Sequence, residues 1–260
     1  MFEKPSTRTS AGFEVATLRL GGSPLYFSSL DMQLSRGEPV KDTARVLGAD
    51  MDGIVARVFS NETVKQLAQF AGIPVINGLS DLEHPTQIVS DFFTIQEVKG
   101  NPRDLNLAYI GDGDNVCNSL LLGAAISGMN ITVACPENHK PDPKIVSRAN
   151  KSASMSGSSI AITMNPKQAA ADADVLYTDV WVSMGEEAET EKRINEFRGY
   201  QINSELLSLA KRDAVVMHCL PAHRGLEITD DVIEGSHSIV WQQAENKLYG
   251  AAGVLEFFLK

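Results

Sequence analysis

"LNLAYIGDGDNVCNSLLLGAAISGMNITVAC", residues 105–135, reads as a strand, a turn, a helix and a second strand. The runs 105–111 and 131–135 are short, apolar and rich in β-branched and aromatic residues, as buried strands are. Asn115 stands where a helix cap would stand, and Gly128 where the helix of residues 119–128 should stop. Two strands joined through a helix at this spacing lie parallel in one sheet. The turn between them also invites a dinucleotide-loop reading, which needs glycine at its first, third and sixth positions. Gly111 and Gly113 satisfy the first two, but Val116 stands at the sixth. A tight turn is at least as good a reading. Asn115 and Asn118 are one helical turn apart, so either amide could face the crevice at the strand ends.

The same alternation extends in both directions. Further strands are expected at residues 24–27, 53–58, 74–77, 159–163, 175–180, 214–219 and 238–241, with helices such as 63–72, 87–99 and 204–212. Gly72 and Gly100 sit where two of these helices should end, and Ser204 where a third should be capped. Alternation of this kind specifies an α/β fold with helices on both faces of a parallel sheet. It runs too long for one small sheet, so two doubly wound parallel-sheet domains are expected. The division follows helix 87–99 and the turn residues "KGNPRD". This gives domains at 1–99 and 100–243, and an amphipathic C-terminal helix, 244–260, that packs back on the first domain.

Composition narrows the function classes. The chain has 260 residues, 43% hydrophobic and 22% charged, which suits a folded domain with a true core. Its net charge of −10 argues against a nucleic-acid partner, which would call for a basic face. No apolar run approaches the roughly 20 residues that span a bilayer. Cys117, Cys135 and Cys219 show no paired spacing, which fits a reducing, cytoplasmic setting.

Four other stretches carry candidate chemistry. "STRT", residues 6–9, places three hydroxyls and an arginine at a helix start. Such a start presents unpaired N–H groups and partial positive charge, so Ser6, Thr7, Arg8 and Thr9 could cradle a phosphate. The plainer reading is a capped helix, for which one hydroxyl is enough. "HPTQ", residues 84–87, puts His84 and Gln87 at another helix start, with Pro85 favourable in the first turn. A single histidine there is more often bonded to its own loop. Arg57 ends an apolar strand, where a charge faces either solvent or a ligand. Asp179, in "DVWVSMG", is costly at a sheet edge unless it meets a cation; otherwise it caps the next helix. In "HCLPAHRG" Cys219 is either a small buried hydrophobe or a thiol tuned by its neighbours. A zinc site from His218, Cys219 and His223 matches none of the usual ligand spacings.

Together "STRT", "HPTQ", "DVWVSMG" and "HCLPAHRG" resemble, in order and across essentially the whole chain, the carbamoyltransferases, and within them the ornithine branch. The resemblance implies transfer of the carbamoyl group from carbamoyl phosphate to the δ-amine of L-ornithine, giving L-citrulline and phosphate in arginine metabolism. It implies that Ser6, Thr7, Arg8 and Thr9 hold the phosphate, with Thr9, Arg57 and His84 near the carbonyl oxygen. Gln87 and the backbone at Leu220 would hold the carbamoyl NH₂. Asn115 and the Met184 backbone would take the α-carboxylate of ornithine, and Asp179 and Ser183 its α-amine. Cys219, beside Asp179, would accept or relay the δ-amine proton. Gln33 matches the position that reaches a neighbouring subunit of a homotrimer, and Lys247 a position that contacts carbamoyl phosphate. No metal and no organic cofactor is implied.

Three departures accompany the resemblance. Family members carry a helix and a first strand ahead of "STRT", whereas this sequence starts at Met1, so the cradle is expected to be loosely held. Ser10 stands in place of a second arginine. Lys247 stands in place of an arginine, keeping the charge but not the two-pronged donor. The rival readings are a carbamoyltransferase for putrescine, aspartate or an acylated ornithine, a nicotinamide-dependent dehydrogenase using "GDGDN", and a catalytically impaired paralogue or fragment.

Overall fold

The computed structural model describes residues 1–28, 30–182 and 189–259, and resolves the alternation into two parallel sheets. The chain divides into two compact units, Met1–Phe93 with Glu245–Lys260, and Thr94–Ala244. The division falls inside the long helix that precedes the turn "KGNPRD".

The first unit holds helices α1 (Thr7–Arg19) and α2 (Val40–Asp50), strand β1 (Ile54–Arg57), helix α3 (Asn61–Phe70), strand β2 (Val75–Leu79) and the start of helix α4 (Pro85–Lys99). β1 and β2 pair in parallel from Ile54↔Val75, and the register shifts after Ala56 so that Arg57 lies opposite Leu79. Phe2 extends the sheet through parallel bridges to Arg57 on one side and Ser28 on the other. The expected strand at residues 24–27 is therefore no strand. Phe27 contributes one carbonyl, which accepts the Phe2 N–H at 2.9 Å, and the pairing stops there. One face of the sheet packs Ile54, Ala56 and Val58 against Ala44 of α2 and Leu67 of α3. The other packs Ile76 against Phe13 and Ala16 of α1 and Ala251 and Leu255 of the C-terminal helix. Burying each of the larger side chains, such as Ile54, Leu67, Ile76 and Phe13, contributes about 1.5–3 kcal/mol. Close packing also demands glycine at position 48, where a Cβ would lie 1.8 Å from the Ala71 carbonyl oxygen.

The second unit runs β3 (Asn106–Ile110), α5 (Asn115–Ser127), β4 (Asn130–Ala134), α6 (Pro143–Ser156), β5 (Ile160–Thr163), α7 (Pro166–Ala170), β6 (Val175–Thr178), α8 (Thr190–Glu196), α9 (Ser204–Leu207), β7 (Val215–His218) and α10 (Asp230–Ile233). The strands lie in the order β5-β4-β3-β6-β7, all parallel. β3 leads outward to β4 on one side and β6 lies on its other side. This reversal opens a crevice at the carboxyl ends of β3 and β6, the usual ligand position in such sheets.

The final helix, α11 (Val240–Phe258), starts four residues earlier than expected, because residues 238–241 are not a strand. Ser238 makes a single bridge to Val216, and Ile239 donates to the Val216 carbonyl at 3.0 Å. The apolar run then becomes the first turn of the helix, with Val240 buried and Trp241 52% exposed. The helix expected at 204–212 contracts to α9, and its cap is Asn203, whose side chain accepts the Leu206 N–H. Likewise Asp114, not Asn115, caps α5 by accepting the Val116 N–H at 3.1 Å. In both cases the cap is the residue before the one the pattern suggested. None of the described helices is long and apolar enough to cross a membrane.

Candidate active site

In the first unit, Ser6 is the cap of α1: its extended backbone turns its hydroxyl to accept the Thr9 N–H at 3.2 Å. The hydroxyl proton remains a donor, and the N–H groups of Thr7 and Arg8 lie in a first turn that has no intrahelical acceptors. Capping and anion binding are thus compatible in one residue. Thr9 is buried while Thr7 and Arg8 are exposed. Ser10 turns its hydroxyl back along the helix to the Ser6 carbonyl at 2.7 Å. Arg8, Thr9 and Lys247 line one small cavity with Gly12, Thr86 and Ser90. Two cations and a helix N-terminus therefore converge on one spot of an otherwise acidic chain.

Arg57 reaches the end of β1 and is buried, at 6% exposure. His84 and Gln87 are buried at the start of α4. Burial, and then the charges of Lys247 and Arg57, hold the His84 imidazole well below its ordinary pKa. His84 is accordingly a neutral donor near neutral pH. Gln87 is gripped at both ends: its Nε2 donates to Asp91 Oδ1 at 2.8 Å, and its Oε1 accepts from Lys247 Nζ. Asp91 was not singled out in the sequence, although an i,i+4 glutamine–aspartate pair on one helix face is a readable signal. Gln33 lies exposed in the short turn Gln33–Arg36, with its Oε1 3.5 Å from Arg36. Among the described hydrogen bonds nothing joins it to the cradle.

In the second unit the carboxyl ends of β3, β6 and β7 gather the remaining candidates. The turn after β3 keeps glycine at 113 for packing, since a Cβ there would lie 2.3 Å from the Pro141 nitrogen. Backbone from a neighbouring loop fills the room a dinucleotide phosphate would need, which removes the cofactor-loop reading. Asn115 is half-buried in the first turn of α5. Asn118 faces elsewhere: its Oδ1 accepts the Asp142 N–H at 3.1 Å and anchors the start of α6. Asp114 is pushed well up in pKa by burial and by the charges of Asp179 and Asp112.

Asp179 follows β6 with 6% exposure and accepts the Val180 N–H at 2.7 Å. Burial raises its pKa, and a hydrogen bond from the Cys219 thiol opposes that rise. The ligand atoms of Asp179, His218 and Cys219 all lie within 4.8 Å of one another. This resembles a metal cluster, but the imidazole has no lone pair to give. Its Nδ1 accepts the Leu220 N–H at 2.9 Å and its Nε2 lies 3.1 Å from Glu227 Oε1. His223 is exposed, and its backbone N–H donates to the same Glu227 oxygen. Leu220 adopts a left-handed φ of 59° directly after the cysteine. Ser183 and Met184, expected at the α-amine and α-carboxylate of ornithine, lie outside the described residues.

A second cluster went unread in the sequence. Arg193 is buried and bonds Asp112 and the Trp181 carbonyl. His139 lies 2.8 Å from Glu196, and its pKa is raised, chiefly by its hydrogen bond to Asp112. These groups tie α8 to the turn after β3.

Residues 1–97 match the family model described as the carbamoyl-P binding domain of aspartate/ornithine carbamoyltransferases, and residues 103–258 match its Asp/Orn binding domain. An ornithine carbamoyltransferase of Methanosphaera stadtmanae is 55% identical over 260 residues, spanning 100% of this chain and 86% of the relative. That of Archaeoglobus fulgidus is 51% identical over 98% of this chain and 82% of its own. The solved ornithine carbamoyltransferase from Pyrococcus furiosus superposes with a TM-score of 0.96 at 49% identity, covering 99% of this chain and 82% of that one.

Proposed function

The chain belongs to the aspartate/ornithine carbamoyltransferase family, and from that premise we infer a transfer of the carbamoyl group of carbamoyl phosphate to the δ-amine of L-ornithine. The products are L-citrulline and phosphate. The δ-nitrogen attacks the carbamoyl carbon, the carbonyl oxygen gains negative charge, and the bond to the phosphate oxygen breaks as that charge collapses. Three demands follow: an anion site for the leaving group, donors for the developing oxyanion, and a base for the amine proton.

In this reading Ser6, Thr7, Arg8 and Thr9 hold the phosphate, and Lys247 adds a second cation beside it. Arg57 and a neutral His84 donate to the oxyanion. Neutrality suits His84, because an uncharged donor beside two cations adds no repulsion in the ground state. Gln87 Oε1 accepts from the carbamoyl NH₂, with the Leu220 carbonyl as a second acceptor. Asn115 and the Met184 backbone take the α-carboxylate of ornithine. Asp179 and Ser183 take its α-ammonium, and Cys219 relays the δ-amine proton, its thiol passing one proton to the Asp179 carboxylate as it takes another from the amine. A thiol, at about 8.5, titrates nearer an alkylamine than an ordinary carboxylate does. None of these steps calls on a metal or an organic cofactor.

The observation that carries the reading is the contact between the Asp179 carboxylate and the Cys219 thiol at the ends of adjacent strands. The carboxylate suits a cation, and the bonded pair can relay a proton from an amine. The test is citrulline formation from carbamoyl phosphate with ornithine, putrescine, aspartate and N-acetylornithine offered in parallel. Turnover with ornithine at least a hundredfold above the others is expected, and a preference for another amine overturns the substrate assignment.

Two finer points belong to the same proposal. The active assembly is a homotrimer or a multiple of trimers, to which the exposed Gln33 offers a polar contact; mass by light scattering tests it. The compartment is the cytoplasm, in keeping with three buried cysteines, none of them in a disulfide.

A further inference from the structure

Glu227 has no part in the chemistry above, yet it is completely buried at 0% exposure. Two donors converge on its Oε1, the His218 imidazole at 3.1 Å and the His223 backbone N–H. Its Oε2 has no partner among the described residues. A carboxylate held out of water at this cost calls for an explanation.

The hydrogen-bond directions supply one. The Leu220 backbone N–H can only donate, so His218 Nδ1 must be the acceptor and carry no proton. The ring proton is then on Nε2 and is donated to Glu227. The carboxylate therefore selects one tautomer of a buried histidine. That tautomer in turn holds Leu220 at its φ of 59°, a conformation that a branched side chain rarely adopts unaided. The far side of the strand end is fixed independently: the His218 N–H donates to Gln243 Oε1, and Gln243 Nε2 donates to the Tyr177 hydroxyl. Cys219 lies between these two anchors, its thiol bonded to Asp179.

We propose that Glu227 is a positioning residue for the carbamoyl transfer, acting through the Nε2–H tautomer of His218 to set the turn at Leu220 and thereby aim the Cys219 thiol and the Leu220 carbonyl. His218 itself accepts no proton during the reaction, because its Nδ1 lone pair is engaged by Leu220. The role is one of geometry, so the acceptor oxygen of Glu227 matters more than its charge.

This rests on the transfer reading, so wild-type citrulline formation is measured first and separates the two. With wild-type activity in hand, Glu227→Ala is expected to lower kcat by about 10- to 100-fold, as loss of an orienting partner commonly does. KM for both substrates should stay within about twofold, because no substrate-contacting group is removed. Glu227→Gln keeps an oxygen that can accept from both donors, so it should recover most of the loss on a logarithmic scale without shifting the pH profile of kcat. Nitrogen-15 spectra of the histidine ring add a readout that does not depend on activity or on the alanine variant folding. His218 should show a protonated Nε2 and an unprotonated Nδ1 in the wild type and in Glu227→Gln. Equal losses in Gln and Ala, a pH profile displaced by Gln, or a wild-type ring protonated at Nδ1 would each overturn the proposal.

Discussion

Lys247 offers the sharpest quantitative test of the anion site, because it can be perturbed in two opposite directions. Its ammonium shares a cavity with Arg8 and Thr9 and bonds Gln87 Oε1. Lys247→Met keeps the aliphatic stem and removes the charge. A hydrogen bond to a charged group is worth about 1.5–3 kcal/mol, and about 1.4 kcal/mol is a factor of ten in binding. Lys247 is half-buried, which favours the lower end of that range. KM for carbamoyl phosphate should therefore rise about tenfold, with ornithine KM little changed. Lys247→Arg restores the planar fork that phosphate oxygens match in pairs. One added neutral-strength bond of about 0.5–1.5 kcal/mol predicts a two- to tenfold lower KM. Gln87 Oε1 has two lone pairs, so a cation and a carbamoyl NH₂ can be accepted together. Initial rates of citrulline formation, with phosphate as a product inhibitor and melting temperature as a folding control, measure both changes. If both variants match the wild type in carbamoyl phosphate KM and phosphate inhibition while remaining folded, Lys247 lies outside the site and the electrostatic reasoning fails.

Three further outcomes are expected. Asp179→Asn removes the buried charge proposed for the α-ammonium, so ornithine KM should rise about 10- to 150-fold, from about 1.5–3 kcal/mol, with carbamoyl phosphate KM unmoved; a change confined to carbamoyl phosphate contradicts the assignment. His84 and His139 should titrate with opposite signs in thermal melts. Below about 6.5 the unfolded chain binds a proton that folded His84 resists, so acidification destabilises the fold, and His84→Gln should flatten that loss. His139 has a raised pKa, so its stabilisation is complete below about 6.5 and is lost as pH rises through the folded value. His139→Gln should therefore cost more at pH 6 than at pH 9, and equal losses at both would contradict the pairing. Gly113→Ala would drive a Cβ into backbone 2.3 Å away, so it should lower the melting temperature and weaken ornithine binding together; an unperturbed variant would show that the loop has room.

Much of the fold was legible because helices and strands repeat on short periods. The unit 105–135 could be parsed from its own residues, and its strands pair as Asn106↔Asn130 through Ile110↔Ala134. The glycines that end helices were legible for a similar reason, since a left-handed stop such as φ 82° at Gly128 is a local demand. Capping was less secure, because Asp114 and Asn115, or Asn203 and Ser204, offer nearly the same chemistry one position apart. Residues 238–241 misled because a short run with three apolar residues fits both a strand and the first turn of a helix. Which one forms depends on what covers it.

The sequence by itself determined most of the succession of elements, the parallel sheets and the residue types available for chemistry, since each is written in spacings of a few positions. Only the tertiary structure decided that Lys247 bonds Gln87 from 160 positions away, that loop backbone occupies the space beside Gly113, and that Glu227 closes on the histidine next to Cys219. Contacts of that kind leave no periodic trace along the chain. They arise when separate segments are packed at interior density, where a carboxylate meets the donors packed against it and a glycine has no room to be anything else.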